Sequence, residues 1–256
     1  MHLIDPKPRG LARRDVLVWL ALPVARLAQA EAAPTEIRLA SEEWHTLTRK
    51  NGTGLYFDLI RMVFEKQGIK VKIEMVPYPR SVHMVKTGKS DAWVASFMNE
   101  QPFPLYPKWH FDQEAEVAVF KKDKAAAFTG QASLRNQRVG WLRDYGYDKL
   151  IPEPMKITEF DAFQNAFQML ARDRIDYFLG AKPDIEADVK KYKVDMGGLE
   201  MRVLMQRQLF LAFANNPRGA ELRRLWDQEM ETLHATEAFK AVYKKYDHVY
   251  PFAPGK

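Results

Sequence analysis

One stretch of this chain occurs twice, and the repetition limits what the chain can fold into. The first copy is Met84-Val85-Lys86-Thr87-Gly88-Lys89-Ser90-Asp91-Ala92-Trp93-Val94; the second is Met169-Leu170-Ala171-Arg172-Asp173-Arg174-Ile175-Asp176-Tyr177-Phe178-Leu179. In both, Met opens the last turns of an apolar-periodic segment, Asp stands seven residues later, and a short apolar run of strand composition follows. Val71-Lys72-Ile73-Glu74 precedes the first copy and Met155-Lys156-Ile157-Thr158 the second, one residue out of register. Each copy reads as strand, helix, tight turn and strand, a βαβ unit that crosses over right-handed onto a parallel sheet. Two units are too few for a repeat array, so the echo predicts two similar α/β lobes.

With 256 residues the chain can form two medium lobes, and 46% apolar with 28% charged residues is ordinary for a soluble globular protein. The first thirty residues differ from the rest. Arg13 and Arg14 precede an apolar run from Val16 to Val24, and Ala28-Gln29-Ala30 offers a small-x-small cleavage site. This predicts a secretory signal peptide over residues 1–30. A membrane span needs about 20 apolar residues, whereas this run holds Pro23 and ends at Arg26. Arg13-Arg14-Asp15-Val16-Leu17 also resembles a twin-arginine signal. Export without an anchor predicts a periplasmic location or release to the medium. The absence of cysteine excludes disulfides, thiolate metal sites, a Cys nucleophile and a lipidated cleavage site. The formal charge of +6 falls to +3 once residues 1–30, with five Lys/Arg and two Asp, are removed. The remaining basic pairs, Lys121-Lys122, Lys190-Lys191 and Lys244-Lys245, are dispersed and read as solvated faces. No nucleic-acid partner is expected.

In chain order, Glu36-Ile37-Arg38-Leu39-Ala40 reads as a first strand and Leu55 to Gln67 as a helix stopped by Gly68. The polar stripe of that helix is Asp58, Arg61 and Glu65; its apolar stripe is Tyr56, Leu59, Ile60 and Val63. The first repeat unit follows, then a proline-rich connection from Met98 to His110 and a strand over Ala115 to Phe120. Gln137 to Leu142 opens the second unit, whose helix starts at Asp161 as N-cap. Val194 to Glu200 reads as loop, Leu209 to Ala214 as a returning strand, and Glu221 to Leu233 and Glu237 to Tyr246 as closing helices. The expected organisation is lobe one over residues 31–119 and 208–256, with lobe two, 120–207, inserted in it. The two crossings would form a hinge.

Glu43-Trp44 after the first strand, Val76-Pro77-Tyr78-Pro79-Arg80 before a helix, Gly88-Lys89-Ser90-Asp91 before a strand and Arg174-Ile175-Asp176 recur together in one group. With the signal segment, the chain resembles a family 3 extracellular solute-binding protein, the substrate-binding component of an ABC importer. The resemblance covers the whole mature chain. It implies a type II periplasmic-binding fold, two α/β lobes closing on a small ligand at a hinge, with a membrane ABC permease as partner. It also implies a monomer without metal or cofactor. The family's amino-acid binders hold the ligand carboxylate with an Arg in a T-x-x-R segment. Here that segment reads Met98-Asn99-Glu100-Gln101-Pro102-Phe103, and no Arg lies between Arg80 and Arg135. Those binders hold the ammonium with an Asp at the position that is Ala181 here, followed by Lys182. Unpaired buried charges are costly, so the common α-amino acids are not the expected ligands.

Ligands of open parallel sheets sit beyond the carboxyl ends of strands, beside helix N-termini. Applied to the strands above, this rule selects Glu43, Trp44, Tyr78, Arg80, Phe97 and Asn99 from lobe one, and Asp144, Tyr145, Tyr147, Asp161 and Lys182 from lobe two. Trp44 and Tyr78 are stacking candidates, with roofing of the core as the alternative. Arg80 is a cation at a helix N-terminus, unfavourable by roughly 0.3–1 kcal/mol unless an anion is near. That anion is either a protein carboxylate such as Glu42, Glu43 or Glu100, or a group of the ligand. Asp161 reads as a cap, and Asp91 and Asp176 as structural. Glu43 or Asp144 could serve as acid or base in a secreted dehydratase of cyclic acids, a competing reading on the same scaffold; a sensory module docking on a membrane receptor is another. G-x-S-x-G and H-E-x-x-H are both absent, so binding rather than catalysis is expected. The export reading predicts that the mature chain begins near Glu31 and that replacing Arg13 and Arg14 leaves precursor in the cytoplasm. N-terminal sequencing of periplasmic material checks it, and a sequence starting at Met1 overturns it.

Overall fold

The computed structural model describes residues 33–143 and 145–252, so the expected signal segment and Asp144 lie outside the described residues. Alternation forms β1 (Glu36–Ser41), which buries Ile37 and Leu39 and leaves Glu36 and Arg38 half-exposed. α1 (Leu55–Phe64) buries Tyr56, Leu59, Ile60 and Val63, while Arg61 lies 3.7 Å from Asp58 and 3.9 Å from Glu65 on the polar stripe. A 3-10 turn over Glu65–Gln67 ends at Gly68, whose φ of 75° needs no Cβ. β2 (Lys70–Met75), α2 (Tyr78–Lys86) and β3 (Ala92–Phe97) complete the first unit. Pro77 caps α2 and Pro79 stands in its first turn, where no N–H is needed.

β4 (Asp112–Lys121) starts three residues before the expected strand. β5 (Arg138–Leu142), β6 (Lys156–Phe160), α3 (Phe163–Ala171) and β7 (Tyr177–Ala181) form the second unit. α4 (Lys182–Tyr192), β8 (Leu199–Phe213), α5 (Pro217–Leu233) and α6 (Glu237–Lys245) follow. Three local readings are corrected. α4 was not foreseen, because it buries only Ile185 and so carries no apolar stripe. β8 runs 15 residues rather than Leu209 to Ala214, since its first half, where Glu200, Arg202, Gln206 and Arg207 interrupt the apolar residues, takes its conformation from pairing with β4. Asp161 is not the helix cap: Ala162 holds that position without a side-chain bond, and Asp161 accepts from Arg143 Nε at 2.9 Å.

The strands form an eight-stranded sheet in the order β2-β1-β3-β8-β4-β7-β5-β6. Within each unit pairing is parallel: β1 with β2 and β3, β5 with β6 and β7. β4 and β8 pair antiparallel from Asp112↔Leu209 to Lys121↔Leu199, β3 joins β8, and β7 joins β4. One core, with Ile37, Leu39, Phe57, Trp226 and Phe239, gathers β1, β3, α1, α5 and α6. Two others surround the second unit, one with Phe120, Trp141 and Tyr147, the other with Val119, Phe167 and Phe178. Val117, Ala118 and Val119 belong to these, and the β4–β8 register shifts between Glu116 and Val117. No helix among the described residues is long and apolar enough to cross a membrane.

The repeated Asp has the same task in each unit. Asp91 accepts from the Arg38 backbone N–H at 2.8 Å, from its Nη2 at 2.7 Å and from Arg218 Nε at 3.0 Å. Asp176 accepts from the Arg138 backbone N–H at 3.0 Å, from its Nε at 2.9 Å and from Lys124 Nζ at 2.7 Å. Burial alone would raise the Asp91 carboxyl, but the bonds from Arg38 and Arg218 outweigh it and hold it below the usual carboxylate range. The bonds from Arg138 and Lys124 hold Asp176 well below that range. A depressed folded pKa stabilises the fold above about pH 4, and that stability is lost as pH falls further. Asp91→Ala is expected to cost about 2–4 kcal/mol, below the full loss for a broken buried pair because Arg38 and Arg218 are 41% and 32% exposed. Urea unfolding across pH 3–7 checks it (an interval set by those carboxylate values): Asp91→Asn should flatten the acid-side fall seen in the parent.

Candidate functional site

Charged side chains gather on the β4–β8 ladder just before the apolar run Val117 to Phe120 of β4. Glu114 and Glu116 stand two residues apart on β4 and share one face, and the strand partner of Glu114 is Arg207. Arg207 reaches diagonally instead, its Nη1 donating to Glu116 Oε1 at 3.2 Å. The other Glu116 oxygen accepts from the Tyr147 hydroxyl. The Arg207 guanidinium lies 3.4 Å from the centre of the Phe97 ring, a cation–π contact. A continuous line of contacts thus runs Phe97, Arg207, Glu116, Tyr147, from the end of β3 to the loop after β5. Burying Glu116, 3% exposed, is possible because both its oxygens are bonded. Glu114 accepts no hydrogen bond among the described residues. Burial, then the nearby Glu116 and Asp184, push its carboxyl up to about 7. Asp184, in the first turn of α4, is raised by burial and accepts from Tyr145 at 3.4 Å.

A second polar group lies at the end of β3. Ala95, with φ of 65°, sits where the β3–β8 register shifts, a bulge that re-aims Ser96 and Phe97. Ser96 Oγ at 3.0 Å and the Phe97 N–H at 3.1 Å donate to Glu100 Oε2. The Tyr78 hydroxyl is 2.9 and 2.7 Å from the two Glu100 oxygens and accepts from Trp93 Nε1 at 3.2 Å. Trp44 packs on Tyr78 with ring centres 6.0 Å apart.

The structure brings Trp44, Tyr78 and Phe97 together on one side, and Tyr145 and Tyr147 on the other, with ring centres 6.1 Å apart. Tyr147 is 1% exposed and acts through its hydroxyl from within the core. Glu43 turns to Lys50 at 3.1 Å and Lys182 to Glu186 at 3.6 Å. Asn99, with φ of 61°, shapes the turn before Glu100. Arg80 is exposed and has no ion pair or side-chain hydrogen bond among the described residues. Its candidate carboxylates are engaged elsewhere: Glu42 accepts from Tyr78 N, Glu43 pairs with Lys50, and Glu100 binds Tyr78 and Ser96. Sequence reasoning named Glu100 only as a partner for Arg80 and missed Glu114, Glu116, Asp184 and Arg207. The alternation Glu114-Ala115-Glu116 at the start of an apolar strand was a legible signal; Arg207 lay in a segment not read as strand.

No protein-family model matches the chain. A curated protein that does is the ATP-dependent RNA helicase DBP3 of Gibberella zeae, 26% identical over 249 residues; the match spans 92% of this chain and 37% of the helicase. A nucleotide phosphate loop runs from strand through Gly-rich turn to helix. Here Thr87-Gly88-Lys89-Ser90 leads from α2 into β3, the opposite order. Among solved structures, an ABC uptake transporter substrate-binding protein from Streptococcus pneumoniae with bound histidine is similar at TM-score 0.54 and 17% identity, covering 83% of this chain and 92% of that one. The GluR0 ligand-binding core with L-glutamate gives 0.56 and 13%, covering 85% and 99%. The ancestral amino-acid-binding protein AncCDT-1, a precursor of cyclohexadienyl dehydratase, gives 0.52 and 17%, covering 83% and 95%. The chain has the type II periplasmic-binding fold.

This chain builds that fold from two parallel units on a shared antiparallel ladder. The charged middle of the ladder gives a titration prediction. Glu114 has a folded pKa of about 7, above its ordinary 4.5, so it stabilises the fold when protonated and that stability is lost as pH rises between these values. Glu114→Gln should remove this decline, which urea unfolding at intervals of pH will show. An unchanged slope would place the titration elsewhere.

Proposed function

We propose that this protein is an exported solute-binding protein that captures a small polar solute between two lobes and delivers it to an ABC-type permease. The lobes are residues 31–119 with 208–256, and 120–207, closing about the β4–β8 crossing. The observation that carries the reading is the line Phe97–Arg207–Glu116–Tyr147, which gathers side chains from both parallel units at the β4–β8 ladder. Beside it Glu114 has no bonding partner among the described residues; the rings of Trp44 and Tyr145 lie in loops and that of Tyr78 at the start of α2. The folds of a transporter substrate-binding protein and of the GluR0 ligand-binding core support capture of a small molecule. A second reading, an eliminating enzyme, draws on the likeness to a dehydratase precursor and on Glu114, whose pKa of about 7 suits proton transfer.

A thermal-shift screen against several hundred metabolites (a scale chosen to span the common solute classes) separates these readings, since a ligand raises Tm by mass action. One chemical class should raise Tm in a concentration-dependent way, quench the fluorescence of Trp44 and be recovered unchanged. The twenty common amino acids are expected to bind weakly or not at all. Product formation from a stabilising compound would favour the enzyme, and no response across the screen would overturn solute capture.

A further inference from the structure

Three donors converge on one carboxylate at the end of β3, and that carboxylate belongs to the chain itself. Glu100 Oε2 receives the Ser96 hydroxyl at 3.0 Å, the Phe97 N–H at 3.1 Å and the Tyr78 hydroxyl at 2.7 Å. The donors are held in place independently of Glu100. Tyr78 is fixed by Trp93 Nε1, Ser96 lies 3.1 Å from the Tyr106 hydroxyl, and Phe97 is fixed by pairing with Leu209. Preplaced hydroxyl and peptide donors of this kind bind a carboxylate strongly. A solute carboxylate would therefore have to displace Glu100 to use them. It would also approach Glu114, Glu116 and Asp184, against one guanidinium, Arg207, that is already bonded to Glu116. The two groups adjoin, because Phe97 gives its N–H to Glu100 and its ring to Arg207. Glu100 Oε1, by contrast, meets only the Tyr78 hydroxyl among the described residues, and Glu100 is exposed.

We propose that Glu100 is a specificity-determining residue. It fills the oxyanion cradle of Tyr78, Ser96 and Phe97, denies that cradle to solute carboxylates, and offers Oε1 to an ammonium or guanidinium of the solute. The solute class rests on the binding function proposed above; the cradle does not. The test uses the mature full chain, its Glu100→Ala and Glu100→Gln variants, and acetate as a stand-in for the deleted carboxylate. Acetate, compared with chloride at equal ionic strength, should raise the Tm of Glu100→Ala saturably and leave the parent and Glu100→Gln unmoved. Equal shifts in all three proteins, or none in Glu100→Ala, overturn the cradle. If Glu100→Ala does not fold, acetate during refolding should restore it, and failure to do so counts against the cradle too. In a second arm, primary amines and carboxylates of matched length are titrated. The parent should respond to amines, Glu100→Gln should lose affinity for them by at least about tenfold, and the parent should not respond to carboxylates. A parent that binds carboxylates as well as amines overturns the specificity. Acetate rescue with no response to any solute would overturn the solute-binding function and leave the cradle standing.

Discussion

Every other part of the sheet is attached to the antiparallel pairing of β4 with β8. β3 and, through it, the first parallel unit hang on β8; β7 and the second unit hang on β4. Each of the two strands has an apolar end in a different core: Val117 to Phe120 of β4 in those of the second unit, Leu209, Leu211 and Phe213 of β8 in that of the first. The stretch between the cores carries Glu114, Glu116 and Arg207. Polar side chains are tolerated there because the buried Glu116 has both oxygens bonded, one to Arg207 and one to Tyr147. The ladder is thus both the support of the sheet and the place where charge can gather.

Each parallel unit is secured by one carboxylate that reads the neighbouring strand twice, through its peptide and through its side chain. Asp91 bonds Arg38 of β1, and Asp176 bonds Arg138 of β5, in the same way. Arg218 of α5 also reaches Asp91, so a helix from the far end of the chain is tied to the first unit. Each carboxylate stays ionised because the cations beside it offset the cost of its burial.

The candidate site has a surplus of acceptors. Glu116 is bonded to both Arg207 and Tyr147, and Glu100 to the hydroxyls and peptide of β3 and α2. Glu114 remains without a bond among the described residues, and its carboxyl rises until protonation competes with ionisation near neutrality. The anchor anticipated at Arg80 is exposed and unpaired among the described residues, whereas Arg207 lies at the centre. The ammonium-binding position expected at Ala181 carries no charge, but Asp184 stands three residues on, in the first turn of α4.

The sequence by itself determined the two βαβ units, their Asp-terminated turns, most strand and helix starts, and the aromatic set Trp44, Tyr78, Phe97 and Tyr145. These features rest on local periodicity and on turn chemistry, which neighbouring residues settle. Tertiary structure alone decided the first half of β8, the place where β4 changes cores, and the convergence of Arg207, Glu114 and Glu116. The cross-strand partner of Glu114 lies 93 residues away in the chain, so no local pattern could pair them. Their grouping exists only once an antiparallel ladder fixes the register, and the register is fixed by apolar ends buried in cores that the sequence does not join.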